Sequence, residues 1–106
     1  MLPRLNRLRK QKDFDLIFQE GSFFQNDYLA IKCRLSQAGY SRFAVVISAK
    51  TAKGAVVRNR LRRQLNEIIR KEIKDKLTDF DVVIIVRPKL IGKKYQEIRK
   101  ILGGLL

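Results

Sequence analysis

KGAVVRNRLRRQLNEIIRKEIK, residues Lys53–Lys74, reads as one amphipathic helix. Val57, Leu61, Leu65, Ile68, Ile69 and Ile73 recur at steps of three or four and so share one face. Asn59, Arg60, Arg63, Glu67, Arg70, Lys71 and Lys74 fall on the opposite face. Arg58 and Arg62 lie on the flank, where a long stem can be buried while the guanidinium stays in water. Four of the seven residues from Arg58 to Gln64 are Arg, and the stretch has no acid before Glu67. A solvated helix face is the bland account of such a row, and Glu67 with Lys71 supplies some local pairing. Yet an isolated helix gains nothing from uncompensated like charge. Arg in place of Lys also favours forked recognition of phosphate. The row therefore reads as a nucleic-acid contact on a helix that docks by its other side.

The totals agree. The chain has 106 residues and one modest core, so it is a single domain, 1–106. Its formal charge is +14, from 24 Lys and Arg against 10 Asp and Glu. Self-repulsion at that charge implies a polyanionic partner. There is no His, so no His-based acid–base or metal centre is possible. The single cysteine, Cys33, excludes an internal disulfide or a Cys-cluster zinc site and fits a small strand residue. No apolar run approaches the ~20 residues of a membrane span, and the basic N-terminus lacks the apolar core of a secretory signal. A reducing cytoplasm is the expected location.

Outward from the helix, residues 1–12 hold five basic residues and no acid. They read as a basic arm that packs some of Leu2, Leu5 and Leu8, or as a solvated tail. Lys12–Gln19 is a short helix with Asp13 at its start and Gly21 as its C-terminal stop. Phe14 and Phe18 share a face, either as core or as a platform on which bases stack. Ser22–Gln25 is a short strand, and Asn26–Asp27 a turn. Tyr28–Leu35 alternates, with Tyr28, Ala30, Lys32 and Arg34 on one face and Leu29, Ile31, Cys33 and Leu35 on the other. Gln37–Ser41, with Gly39, reads as a hairpin loop leading to the strand Arg42–Ser48. Lys50 and Lys53 add cations on the approach to the basic helix. Asp81–Val86 is apolar without alternation, as in a strand buried on both faces. Tyr95–Leu102 is a last helix, loosened at its end by Gly103–Gly104.

No catalytic constellation is visible. The acids are not clustered for divalent metal, and Asp79 and Asp81 read as turn chemistry and the start of a strand. There is no phosphate-binding Gly loop and no zinc spacing. The polypeptide is expected to bind and position, with no catalytic side chain and no metal of its own.

Ala55-Val56-Val57-Arg58-Asn59-Arg60-Leu61-Arg62-Arg63 resembles the signature of the bacterial ribonuclease P protein family. RKQKDFDLIFQEG resembles that family's first helix, SRFAVVISAK the strand before the signature, and FDVVIIVRP its later strand. The resemblance implies an α/β (α+β) two-layer sandwich of the ribosomal protein S5 domain 2-like kind. It would have a central mixed four-stranded sheet, about three helices and a left-handed β-α-β crossover. It also implies a function: the protein binds a catalytic RNA, which holds the active-site Mg2+, and the ribonucleoprotein removes the 5′ leader of precursor tRNA. On this resemblance Lys53, Arg58, Asn59, Arg60, Arg62 and Arg63 contact the catalytic RNA. Phe14, Phe18, Lys32, Ser48 and Lys50 line a cleft for the leader. Asn66 stands where a further Arg is common, Arg62 where Lys is frequent, and Lys32 where some relatives carry an aromatic.

The partners implied are the ribonuclease P catalytic RNA and precursor tRNA, with no membrane and no obligate protein partner. The alternative left open is a non-catalytic structural RNA-binding protein of ribosomal type. A DNA module laying Lys53–Lys74 in a major groove is disfavoured, because no short helix and tight turn precede it.

Overall fold

The run at 81–86 is buried on both faces because it is an inner strand of the sheet. In the structure, a computed structural model describing residues 2–106, the chain begins with a 3-10 turn (Arg4–Asn6). There follow α1 (Gln11–Glu20), β1 (Ser22–Gln25), β2 (Leu29–Leu35) and β3 (Arg42–Val46). Next come α2 (Ala55–Ile68), a π-helical turn (Ile69–Ile73), β4 (Phe80–Val86), a 3-10 turn (Pro88–Leu90) and α3 (Tyr95–Leu105). The strands form one mixed sheet in the order β1-β2-β4-β3. β1 and β4 run antiparallel to β2, and β3 runs parallel to β4. The mixed four-stranded sheet with three helices expected from the resemblance is the architecture observed.

The hairpin expected at Gln37–Ser41 is not formed. β4 lies between β2 and β3, so the segment joins strands that do not pair. Gly39 does turn the chain, with φ of 83°. A local turn signal cannot say which strand arrives later, and the unalternating 81–86 run reports only that both faces of its strand are covered. Asn26, by contrast, closes a real hairpin: its Oδ1 accepts the N–H groups of Tyr28 and Leu29, both at 2.8 Å.

One face of the sheet carries Leu29, Ile31, Phe43, Val82, Ile84 and Val86 against Leu61, Leu65, Ile68 and Ile69 of the long helix and Ile98 and Leu102 of α3. The apolar stripe read from the sequence is thus the docking side of α2, although Val57 is only partly buried. The single uninterrupted helix expected over 53–74 starts at Ala55 and widens after Ile68, where the Lys74 N–H bonds Ile69 O, a π-type step. Ile69 and Ile73 both stay buried across that turn. α3 likewise continues through Gly103 and Gly104 to Leu105.

On the other face α1 crosses the strands, and Ile17 packs on Val83 with Leu8, Phe14, Ala44 and Ile85 around them. The N-terminal arm wraps the open edge of β3. Leu2 belongs to the α2-side core and Leu8 to the α1-side cluster. The Leu8 N–H bonds Phe43 O at 2.9 Å, and Asn6 Nδ2 donates to Ser41 O at 2.6 Å. Leu5 stays exposed. The arm therefore covers an edge that would otherwise offer free backbone groups.

Candidate nucleic-acid interface

Register sorts the α1-side face into rows, because directly paired residues share a face. Arg42–Asp81–Arg34 form the first row, Ala44–Val83–Lys32–Phe23 the second, and Val46–Ile85–Ala30–Gln25 the third. α1 lies along the second row. Its two flanks then meet opposite chemistry.

One flank meets the first row with carboxylates. Arg42 makes a forked pair with Asp81, Nε to Oδ1 at 2.8 Å and Nη2 to Oδ2 at 2.7 Å, and its Nη1 reaches Asp13 at 3.2 Å. Asp81 is 4% exposed. The hydrogen bonds to Asp81, against the cost of burial, hold the Arg42 pKa above its ordinary value. Glu20 pairs with Arg34 at 3.5 Å. Asp13 stands in the first turn of the helix, as expected, and also anchors it to the sheet, while Asp81 stands at the start of its strand, as expected, and is also the buried half of an ion pair. Asp79 does serve the turn, with φ of 66°.

The other flank carries Phe14 and Phe18 above the third row. Phe14 is half-buried, and Phe18 is 44% exposed. Ile17 takes the full core position between them. Phe14 therefore packs in part as core, while Phe18 leaves much of its ring in solvent. The floor is apolar, and Val46 is exposed at its β3 end. At that end a concavity of about 350 Å³ joins Phe14 and Val46 to Arg7 of the arm and to Arg62 and Asn66 of α2. The groove and the cationic helix are therefore continuous. At the other end the Lys32 Nζ donates to Phe18 O at 3.1 Å.

On α2 the expected contacts differ in how far the protein already uses them. Asn59, Arg60 and Arg63 are exposed, and neither Arg forms a hydrogen bond or ion pair with the described residues. Arg62 leans on Asn59 at 3.5 Å. Arg58 is turned inward, its Nη1 donating to Ala52 O at 2.7 Å and to Lys53 O at 3.0 Å. It ties the approach loop to the helix it precedes. Ser48 is likewise engaged: its Oγ accepts the Thr51 N–H at 3.1 Å and bonds the Thr51 hydroxyl at 3.0 Å. Lys50 and Lys53 are exposed. Glu67 bonds Arg70 and Lys71, which hold its carboxyl well below the usual range, at about 2. The free cations are thus concentrated in the first half of α2.

Sequence reasoning missed the Arg42–Asp81–Asp13 network and the exposed Phe23 beside Lys32. Only strand register, which pairs residues distant in sequence, brings either together. The Cys33 thiol, pushed up by burial, fits the small strand residue expected.

The Ribonuclease P family model matches residues 2–106. The chain belongs to the ribonuclease P protein family. A ribonuclease P protein component from a Pseudanabaena strain is 35% identical across 100% of this chain and 92% of its own length. One from Thermotoga maritima is 41% identical over 82% of this chain and 74% of its own. The solved ribonuclease P protein from Thermotoga maritima superposes with a TM-score of 0.82 at 36% identity, covering 93% of this chain and 94% of that one. The Staphylococcus aureus protein, at 23% identity and a TM-score of 0.85, shares the fold over 94% of this chain and 91% of its own. The family is the protein component of bacterial ribonuclease P, its role is tRNA 5′ processing, and a component of a ribonucleoprotein implies an RNA partner.

Proposed function

We propose that this chain positions substrate for a catalytic RNA within ribonuclease P. Lys53, Asn59, Arg60, Arg62 and Arg63 bind the catalytic RNA, with Arg58 setting the loop from which they start. The groove of Phe14, Phe18 and Lys32, together with Ser48 and Lys50 of the loop after β3, holds the single-stranded 5′ leader of precursor tRNA. The observation that carries this reading is the shared rim. Arg62 and Asn66 border both the cationic helix and the aromatic groove, so one protein can touch two RNAs at once.

An apolar floor, an aromatic wall and cations at the ends suit single strands of varied sequence. Catalysis, with its Mg2+, is assigned to the RNA. In support, the carboxylates of α1 nearest the sheet, Asp13 and Glu20, point to the flank away from the groove and are engaged with Arg42 and Arg34. A protein acting on tRNA precursors is expected in the cytoplasm. Among the described residues no helix is long and apolar enough to cross a membrane.

The test is cleavage of 5′-labelled precursor tRNA by a bacterial ribonuclease P RNA at low Mg2+, with and without this protein. Stimulated cutting at the mature 5′ end, with none from the protein alone, is expected. RNA binding without stimulation would turn the reading towards a structural RNA-binding protein of ribosomal type.

A further inference from the structure

We infer that Phe23 and Lys32 form a second nucleotide-binding position for the precursor leader, beyond the Phe14–Phe18 wall. The inference rests on the leader-groove reading above and extends it across the sheet to β1.

Phe23 and Lys32 are directly paired across β1 and β2, on the α1-side face. The Phe23 ring is 49% exposed. The Lys32 Nζ stands 5.6 Å from the ring centroid while donating to Phe18 O. Phe18 lies in the last turn of α1, where a carbonyl has no partner within the helix. Its bond therefore holds an ammonium that would otherwise swing freely, and an ammonium carries three donors. One is taken by the carbonyl and one side of the group faces the ring, so a third N–H remains for a ligand oxygen.

A fixed cation beside an exposed ring suits one nucleotide, the base stacked on the ring and the phosphate on the ammonium. The position is also reachable by a continuous strand. α1 crosses from β3, where Asp13 meets Arg42, to β2, where Phe18 meets Lys32. Phe14 and Phe18 are one helical turn apart, about 6 Å of rise. Phe23 lies one strand further, at a spacing of about 4.8 Å. The aromatic positions thus form a track from the α2 rim to the sheet edge.

The experiment measures affinity of the reconstituted holoenzyme for precursor tRNAs whose leaders lengthen one nucleotide at a time, with mature tRNA as reference. The unaltered protein is expected to gain affinity in steps. Phe23→Ala and Phe23→Leu should each lose one step, about tenfold, at a leader length different from the step lost in Phe14→Ala. Both should bind shorter precursors and mature tRNA normally. Phe23→Tyr, which keeps the aromatic face, should retain the step. Retention of every step by Phe23→Leu, or an equal loss on mature tRNA, would overturn the inference and leave the groove reading standing. No gain from any leader by the unaltered protein would overturn both.

Discussion

The two faces of the sheet are built from the same four strands and have opposite economies. On the α2 side, Leu29, Ile31, Phe43, Val82, Ile84 and Val86 are all sealed under two helices. On the α1 side a single helix covers the second of three rows, sealing Ile17 and Val83 completely and leaving most of the other two rows only partly covered. What remains is an ion network on one flank and an open groove on the other. The contrast teaches that the chain places its stability in one face and keeps the other for recognition, at the cost of anchoring α1 by charge.

The largest test of that contrast is Asp81→Ala. It leaves the partly buried Arg42 guanidinium without its forked partner, and removing one member of a buried pair typically costs about 3–5 kcal/mol. A urea titration should show the midpoint fall, with an unchanged slope. Arg42→Met combined with Asp81→Leu should recover most of the loss, because an apolar replacement avoids the stranded charge. If the double variant is no more stable than Asp81→Ala, α1 needs the ion pair for its geometry and not only for charge balance. On the sealed face Ile84→Ala should cost about 2–5 kcal/mol through a cavity, a loss no polar partner restores.

Gly21 probes where the two regions meet. A Cβ there would stand 2.4 Å from Ile17 O and 2.8 Å from Cys33 O. Both are backbone atoms and cannot swing aside. Gly21→Ala is therefore expected to destabilise the protein by about 1–3 kcal/mol, as in overpacked sites. Thermal unfolding would measure it, and an unchanged midpoint would mean that α1 can lift from β2.

The cations of α2 divide in the same manner, into those the fold uses and those it leaves. Arg58→Ala should cost about 1 kcal/mol of stability, because the Ala52 and Lys53 carbonyls lose their donor. Arg60→Ala and Arg63→Ala should change stability by less than about 0.5 kcal/mol. Each should instead weaken binding to the catalytic RNA and lower the slope of log K against log salt by about one. A salt slope untouched by both would remove them from the RNA contact.

These distinctions show which parts were legible in advance. The docking stripe of α2 and the doubly buried run of β4 were visible, because periodicity along one segment reports its burial directly. The basic row was visible because like charge without compensation is costly. The strand order was not: it depends on β4 inserting between β2 and β3, and the local signal at Gly39 pointed to a hairpin. Nor was the employment of Arg58, Ser48 and Asp13 within the fold, since composition cannot tell a guanidinium aimed at solvent from one folded onto its own loop. Gly21 was read as the usual stop of a helix. Its φ of −74° is ordinary, and its necessity comes from β2 passing close by.

The smallest expected effect concerns Glu67, the acid that separates the free cations of α2, Arg60 and Arg63, from the paired ones of the π-helical turn, Arg70 and Lys71. Its carboxyl is held by Arg70 first and Lys71 second, which lowers its pKa from 4.5 to about 2. A carboxyl lowered in the folded state contributes stability that is fully present above its unfolded pKa. That contribution is lost as pH falls from about 4.5 through about 2. Glu67→Gln should therefore flatten the acid limb of the stability curve in that window, modestly and less at high salt, because the pair is partly exposed. The same change should act in the opposite direction on RNA. Arg70 and Lys71 would be released beside Arg63, adding counterion-releasing charge to the row. Tighter binding to the catalytic RNA with a steeper salt slope would mean that the division of α2 is set by Glu67. Unchanged binding would mean that the RNA does not extend past the first half of the helix.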